Sequence, residues 1–152
     1  MTLSTTAPRT LPVRLRPGDD LRRALEAIVA AEGAAAAFVL SGIGSFRSAV
    51  IRFAGVDDAM KIDVDTELLT LAGSIGVGGS HLHMSVSDAQ GRVLGGHAGY
   101  GCTVRTTAEV LLMLLPAWRF TREVDAATGW AELVVAPNSR TGEPSASRRG
   151  DD

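Results

Sequence analysis

The sequence has little of several residue types that define specialised protein classes. It contains one cysteine, Cys102, so the chain cannot form an internal disulfide, and a disulfide-stabilised secreted domain is excluded. It has no apolar run near the roughly 18 residues of a membrane-spanning helix, and its start, MTLSTTAPRT, lacks the basic and then apolar order of a secretory signal. These absences lead us to expect a cytoplasmic protein with no membrane partner.

A strong charge of one sign is also absent. The 15 basic and 17 acidic residues give a formal net charge of −2, which excludes a domain that coats duplex DNA through its overall charge. A local basic patch is still open, and its nucleic-acid-binding candidates are Arg14, Arg16, Arg22 and Arg23. A solvated helix face, with the segment that leads into it, is the simpler interpretation of these arginines.

The polar ends of the chain enclose one predicted domain. We expect a flexible N-terminus over residues 1–10 and a disordered C-terminal tail over residues 138–152, because neither segment can contribute a packed face. The 152 residues, of which 45% are hydrophobic, fit a single core. We therefore predict one domain over residues 11–137.

The first part of this domain predicts a strand followed by a helix. Leu11–Arg16 alternates apolar and basic residues as a strand does, and Pro17-Gly18 then turns the chain. Asp19 or Asp20 can cap a helix that ends before Gly33. The apolar residues of this helix recur at helical spacing and are Leu21, Leu25, Ile28 and Val29.

The rest of the domain predicts an antiparallel sheet. Short β-rich runs alternate with glycine-rich turns, and the runs read AFVLSGIGS, SAVIRFAG, ELLTLAGSI, HLHMSVS, VLGGHAGYG, VLLMLLP and AELVVAP. The run VLLMLL ends at Pro116 after six residues, which suits a buried strand better than a helix. The stretch DAATGW predicts a further hairpin turn.

All three histidines lie in one stretch, HLHMSVSDAQGRVLGGHAGYG. If Asp88–Gly91 forms a three-residue hairpin turn with its glycine left-handed, His83 falls directly opposite His97. His81 lies two residues along the same face, because side chains alternate along a strand. The opposite face is then a predicted core layer of Leu82, Met84, Val86, Leu94 and Ala98.

Three imidazoles on one face can ligate a metal ion. A His-x-His pair on a strand with a third histidine opposite suits zinc with an open position, or another divalent transition metal. Glu67 or Glu109 could enter the same pocket as an acid, a base or a hydrogen-bond acceptor for a ligating histidine. The alternatives are histidines that only hydrogen-bond within a polar face or line a subunit contact, and a loop of different length would send His97 to the other face.

The order of motifs from about Arg14 to Val135 resembles the PPC domain family, named for plants and prokaryotes and also written PCC. The specific part is HLHMSVSDAQGRVLGGHAGYGCTVRTTAEVLL, preceded by PGDDLRRAL, SGIGSFRSAVIRF and ELLTLAGSI and followed by TGWAELVV. The resemblance implies an α+β fold with a single, largely antiparallel sheet, a packed helix and a homotrimeric assembly. The stand-alone prokaryotic relatives are described by analogy as DNA-binding, and some resemble metal binders through histidines that match His81, His83 and His97.

The resemblance also implies partner contacts. Plant relatives contact other transcription factors through a segment that corresponds to Glu67–Gly73, which makes Glu67, Leu68 and Leu69 the partner-contact candidates. The Arg-Gly-Arg-Pro hook of the plant proteins, which enters the minor groove of DNA, does not occur in this chain.

Three functional hypotheses follow from the residues and the resemblance together. The first is a homotrimeric PPC-domain protein that binds DNA or otherwise takes part in transcriptional regulation, with DNA and other regulatory proteins as partners. The second is a three-histidine metal-binding protein of the zinc type, with a small-molecule or hydrolytic role. The third is a trimeric scaffold for protein interaction. No enzymatic activity is assigned, and a non-enzymatic role is favoured.

Overall fold

The computed structural model describes residues 7–139, so most of the two predicted polar ends, residues 1–6 and 140–152, lie outside the described residues. Within this range the chain forms one helix and nine strands. In chain order they are β1 (Arg9–Leu15), α1 (Leu21–Ala31), β2 (Ala36–Arg52), β3 (Met60–Ile62), β4 (Thr66–Gly76), β5 (Gly79–Ser87), β6 (Val93–Ala98), β7 (Thr103–Leu114), β8 (Trp118–Val124) and β9 (Ala131–Pro137).

Seven strands form one antiparallel sheet in the order β1-β7-β2-β4-β5-β6, with β3 paired to β2. The long strand β2 pairs with β4 along its first part, and its last two residues pair with β6, where Ile51 faces Ala98 and Arg52 faces His97. With this second pairing, each of the four strands β2, β4, β5 and β6 pairs with two others of the set, so the four form a closed ring. The closure brings the end of β2 to the histidine hairpin.

The prediction of a single sheet was wrong, because β8 and β9 form a separate two-stranded sheet. This small sheet attaches to one end of the main sheet through Phe120. The Phe120 backbone N–H donates to the Ala35 carbonyl, and its own carbonyl accepts from Val77. The Phe120 ring is buried and packs edge-on against Phe38 at a centroid distance of 5.4 Å. The small sheet is thereby held beside β4 and β5.

The helix forms as predicted. Asp20 is its N-cap, and the Asp20 side chain accepts a hydrogen bond from the backbone N–H of Arg23. Leu21, Leu25 and Val29 are buried on the face that contacts the sheet. Among the described residues, no helix has the length and apolar character needed to cross a membrane.

Strand β5 shows the predicted alternation. Leu82, Met84 and Val86 are buried in the core, while the histidines project from the other face. A shift of the strand by one residue would expose all three apolar side chains, at a cost of about 5 to 9 kcal/mol, so the register is strongly fixed. The predicted core position of Leu94 was wrong, because its side chain is 37% exposed.

Two further expectations differ from the structure. The runs AFVLSGIGS and SAVIRFAG belong to one strand, β2, because register shifts near Gly44 let the strand continue past its glycines. The first strand begins at Arg9 rather than Leu11, so Arg9 and Thr10, which were placed in the flexible N-terminus, pair with β7.

Candidate metal centre

The turn between β5 and β6 has the predicted form. The Gly91 backbone N–H donates to the Asp88 carbonyl at 2.9 Å, and Gly91 has a left-handed φ of 75°. The Asp88 N–H donates to the carbonyl of Arg92, and the Asp88 carboxylate accepts from the Arg92 backbone and guanidinium. The predicted register is confirmed, because His83 lies directly opposite His97.

The three histidine side chains converge on one point. Nε2 of His81 lies 3.0 Å from Nδ1 of His97 and 3.0 Å from Nε2 of His83. The candidate ligand atoms of the three residues all lie within 4.8 Å of one another. The prediction that the three rings gather on one face of the hairpin is confirmed.

Hydrogen bonding among the histidines cannot by itself explain this arrangement. A neutral imidazole nitrogen carries either one proton or one lone pair, so it makes one good in-plane hydrogen bond. Nε2 of His81, however, faces two other ring nitrogens at the same distance. A cation that accepts a lone pair from each ring satisfies all three nitrogens at once.

The surroundings keep two of these rings neutral. The pKa of His81 is lowered to about 4, first by burial and then by the positive charge of Arg122. Burial, followed by the charge of Arg52, also lowers the pKa of His97. His81 and His97 are therefore uncharged at neutral pH, which is the form that donates a lone pair to a metal.

Arg22 has a different role from the predicted one. Its side chain is only 18% exposed, and it donates to the hydroxyl and the carbonyl of Ser80 and to the carbonyl of Ala98. Ser80 precedes His81 and Ala98 follows His97, so Arg22 ties the helix to both histidine strands. Three of its five N–H donors are used inside the fold, so Arg22 is less accessible to nucleic acid than the prediction assumed.

The other three predicted nucleic-acid contacts are exposed. Arg14 projects from β1 and donates to the Thr107 hydroxyl at 3.3 Å. Arg16 follows the end of β1, and Arg23 lies on the helix. These three guanidinium groups are accessible to a partner.

Glu109 does not fit the role predicted for it. It lies exposed on β7, opposite Arg14, and the strands β2 and β4 separate β7 from β5. The carboxylate whose charge reaches His81 is instead Glu132, on β9. The sequence could not indicate this pairing, because β9 approaches the histidines only through the folding of the second sheet.

The predicted partner segment is only partly accessible. Glu67 is exposed on β4, at the far end of the strand from the histidines, and faces Ser87. Leu69 is 42% exposed, whereas Leu68 is 2% exposed and packs in the core. Leu68 was therefore wrong as a contact residue, because alternate residues of β4 face opposite sides.

The histidines border an open cleft that sequence reasoning missed. Its lining includes His81, His97, Arg52, Arg122 and Trp130. The alternating pattern of WRFTREV was a signal for strand β8 and hence for Arg122, but no local pattern indicates that β8 lies beside the hairpin.

Comparison with known proteins gives a family match and several relatives. The model of the Plants and Prokaryotes Conserved (PCC) domain matches residues 3–116. The chain is 40% identical over 146 residues to a Bifunctional protein GlmU of Synechococcus sp. (strain JA-3-3Ab), a match that covers 96% of this chain and 24% of that protein. The chain therefore spans about a quarter or less of the length of the curated relatives that it matches.

Three solved structures share the fold. A hypothetical protein from Salmonella cholerae-suis (Salmonella enterica) is 35% identical with a TM-score of 0.83, covering 88% of this chain and 97% of that one. A metal-containing protein from Archaeoglobus fulgidus is 26% identical with a TM-score of 0.73, covering 88% and 99%. A "putative DNA-binding protein" from Ralstonia eutropha JMP134 is 26% identical with a TM-score of 0.71, covering 81% and 89%.

Proposed function

Because this chain belongs to the Plants and Prokaryotes Conserved (PCC) domain family, we propose that it is a metal-binding member of that family. In this proposal His81, His83 and His97 hold a divalent transition-metal ion. The observation that carries it is the convergence of three ring nitrogens, two of them 3.0 Å from the same nitrogen of His81. The similar protein from Archaeoglobus fulgidus, which is described as metal-containing, supports the proposal.

The donor set fits zinc well. Nitrogens that occupy tetrahedral positions at Zn–N distances of about 2.0–2.1 Å lie about 3.3 Å apart, close to the two separations of 3.0 Å from His81, and all three candidate ligand atoms lie within 4.8 Å of one another. Three neutral imidazoles also suit other late divalent metals. When bound, such an ion supplies a Lewis acid with an open coordination position. The chain's own part is to fix the three rings through the hairpin register and through Arg22, which fastens both strands to the helix.

Elemental analysis of the purified protein tests this proposal. After exposure to zinc and removal of the excess, the wild type is expected to retain about one zinc ion per chain. His83→Ala is expected to retain far less, because it removes one of three ligands. Ser85→Ala is the matched control, since Ser85 lies two residues along the same face of β5 and is expected to leave the zinc content unchanged. Negligible zinc in the wild type would overturn the proposal.

Association with DNA is a second candidate function. It is supported by the name of the similar Ralstonia eutropha protein and by the exposure of Arg14, Arg16 and Arg23. If these three arginines each contact a phosphate, affinity for a labelled duplex should fall about 40-fold between roughly 50 and 200 mM salt. Fluorescence anisotropy measures this fall. Absent or salt-independent binding would remove this candidate.

We also propose assembly into a homotrimer. Leu40 and Ile43 are exposed on β2, and Ile43 is 54% exposed, so an apolar part of the main sheet is uncovered in the single chain. Light scattering after gel filtration should give about three times the 15.8 kDa of one chain. Ile43→Glu is expected to release monomers, whereas Val124→Glu, on the exposed second sheet, is not. A monomeric wild type would contradict the proposal.

We further propose a partner-contact surface on β4 and a location in the cell. Glu67 and Leu69 are the contact residues for another regulatory protein, since both side chains are exposed. A Glu67→Lys variant that captures the same partners as the wild type would count against this surface. The proposed location is the cytoplasm, on the basis of the single cysteine in the composition.

A further inference from the structure

The cleft beside the histidines is large enough for a small organic molecule. Its volume is about 720 Å³, within the range of roughly 300–1,000 Å³ typical of ligand sites. One wall is the histidine hairpin, a second is the end of β2 with the segment that follows, and a third is the β8–β9 sheet. His81 and His97 therefore face both the proposed metal and the cleft.

Arg52 is fixed on the second wall. It faces His97 in the β2–β6 pairing, so its position follows from the closure of the main sheet. Its guanidinium donates to the Val56 carbonyl at 3.3 Å. Within residues 7–139 it has no other hydrogen bond from its side chain and no carboxylate within 4.0 Å, so most of its five N–H donors are unused.

Arg122 is fixed on the third wall. Its guanidinium donates to the Ser74 hydroxyl at 3.1 Å and to the Ala131 carbonyl at 3.3 Å. Ser74 is the cross-strand neighbour of His81, so these bonds hold the charge of Arg122 beside that histidine. In the described part of the chain Arg122, like Arg52, has no carboxylate within 4.0 Å.

The unused guanidinium donors in the cleft favour an anion. Three arginines, Arg22, Arg52 and Arg122, and two carboxylates, Asp57 and Glu132, line it. Arg22 is already paired with Glu26 and bonded to the histidine strands, which leaves two guanidinium groups, one beside each of two histidines. Guanidinium groups bind carboxylates and phosphates through pairs of parallel hydrogen bonds.

We propose that this cleft binds a small organic molecule through a carboxylate or phosphate group, which Arg52 and Arg122 recognise beside the metal held by the histidines. The inference rests on the proposed function, because it takes the metal ion as one of the ligand's contacts. Trp130 lines the same cleft with 63% of its surface exposed, and its flat ring offers an apolar surface to the body of the ligand.

Calorimetric titration of the zinc-loaded full chain tests the inference with three probes. Benzoate presents a carboxylate on a flat apolar ring, inorganic phosphate presents the phosphate alone, and benzamide has the shape of benzoate without its charge. We expect one of the two anions to bind about tenfold or more tightly than benzamide. The anion that binds identifies the group that the arginines recognise.

Two variants and two matched controls locate the binding. Arg52→Gln and Arg122→Gln are each expected to weaken the anion about tenfold or more while the zinc content stays at the wild-type value. Arg47→Gln on β2 and Arg119→Gln on β8 remove the same charge from the same strands outside the cleft lining, and they are expected to change the affinity less than about twofold. Circular dichroism checks that each variant is folded. If one of the two cleft variants is unfolded, the anion affinity of the other cleft variant tests the proposal.

The outcomes separate the two proposals. Wild-type protein that holds zinc but binds neither anion, or binds benzamide equally well, would overturn the anion site and leave the metal centre standing. The anion site is overturned in the same way if the cleft variants bind as tightly as their controls. Wild-type protein without zinc would overturn the proposed function and, with it, the metal contact of the ligand.

Discussion

Replacing Gly73 with alanine tests whether the close approach of β4 and β5 holds the histidine hairpin in place. Gly73 has a φ of 145°, a conformation that residues with a side chain rarely adopt. A Cβ at this position would overlap the carbonyl oxygen of His81 and lie 2.8 Å from Cα of Leu82. The alanine variant must therefore either strain its own backbone and push β5 away, or unfold.

The size of the effect can be worked out with a control on the same hairpin. The unfavourable backbone conformation costs about 1 to 3 kcal/mol, and the steric conflict with β5 costs about another 1 to 3 kcal/mol. Gly78, in the turn between the same two strands, has a φ of 96° but nothing within 4 Å of its added Cβ. Gly78→Ala therefore includes only the first of the two costs.

Urea unfolding followed by circular dichroism measures the difference. We expect Gly73→Ala to lose about 1 to 3 kcal/mol more free energy of unfolding than Gly78→Ala. If the free energy falls with urea concentration by about 2 kcal/mol/M, the urea midpoint of Gly73→Ala should lie roughly 0.5 to 1.5 M below that of Gly78→Ala. A Gly73→Ala midpoint equal to or above that of Gly78→Ala would refute the reasoning, because it would mean that the two strands can separate freely at His81.

Three further predictions concern the core and the helix. Leu68→Ala should lower the free energy of unfolding by about 2 to 5 kcal/mol in the same assay, because the side chain is 2% exposed; a loss below about 1 kcal/mol would contradict its place in the core. Asp20→Ala should lower the free energy of unfolding by about 2 to 4 kcal/mol, because it removes the helix cap and also the carboxylate that accepts a hydrogen bond from the Gly101 N–H; an unchanged urea midpoint would contradict both roles. Alkylation of Cys102 at pH 8 should be slow in the native protein and fast in urea, because burial raises the pKa of its thiol to about 11 and keeps it protonated; equal rates in both would be inconsistent with this burial.

The local features of the fold were predictable because their physical causes are local. The helix follows from the Asp20 cap and the spacing of its apolar residues, and the β5–β6 hairpin follows from the turn Asp88–Gly91. The prediction that glycines separate neighbouring strands gave wrong strand boundaries in β2. A glycine within β2 marks a change of register, and the strand continues because β4 and β7 pair with it on either side.

The role of Arg22 shows why the basic segment could not be interpreted from its residues. On a helical wheel it is a surface arginine next to Arg23, and the two are equally plausible contacts for phosphate. In the folded chain Arg22 turns toward Ser80 and Ala98 while Arg23 stays exposed. Which of two neighbouring arginines is free depends on what the helix packs against, and 58 residues separate Arg22 from Ser80.

The gathering of three imidazoles on one face of one hairpin follows from local sequence features. Two-residue alternation along a strand and the chemistry of one tight turn suffice for that, and both act over fewer than about 20 residues. The residues that surround these rings depend instead on long-range packing. Arg52 reaches His97 through the closure of β2 on β6, and Arg122 reaches His81 through a second sheet packed on the first. Such pairings join distant parts of the chain, and no local sequence pattern identifies which residues will pair.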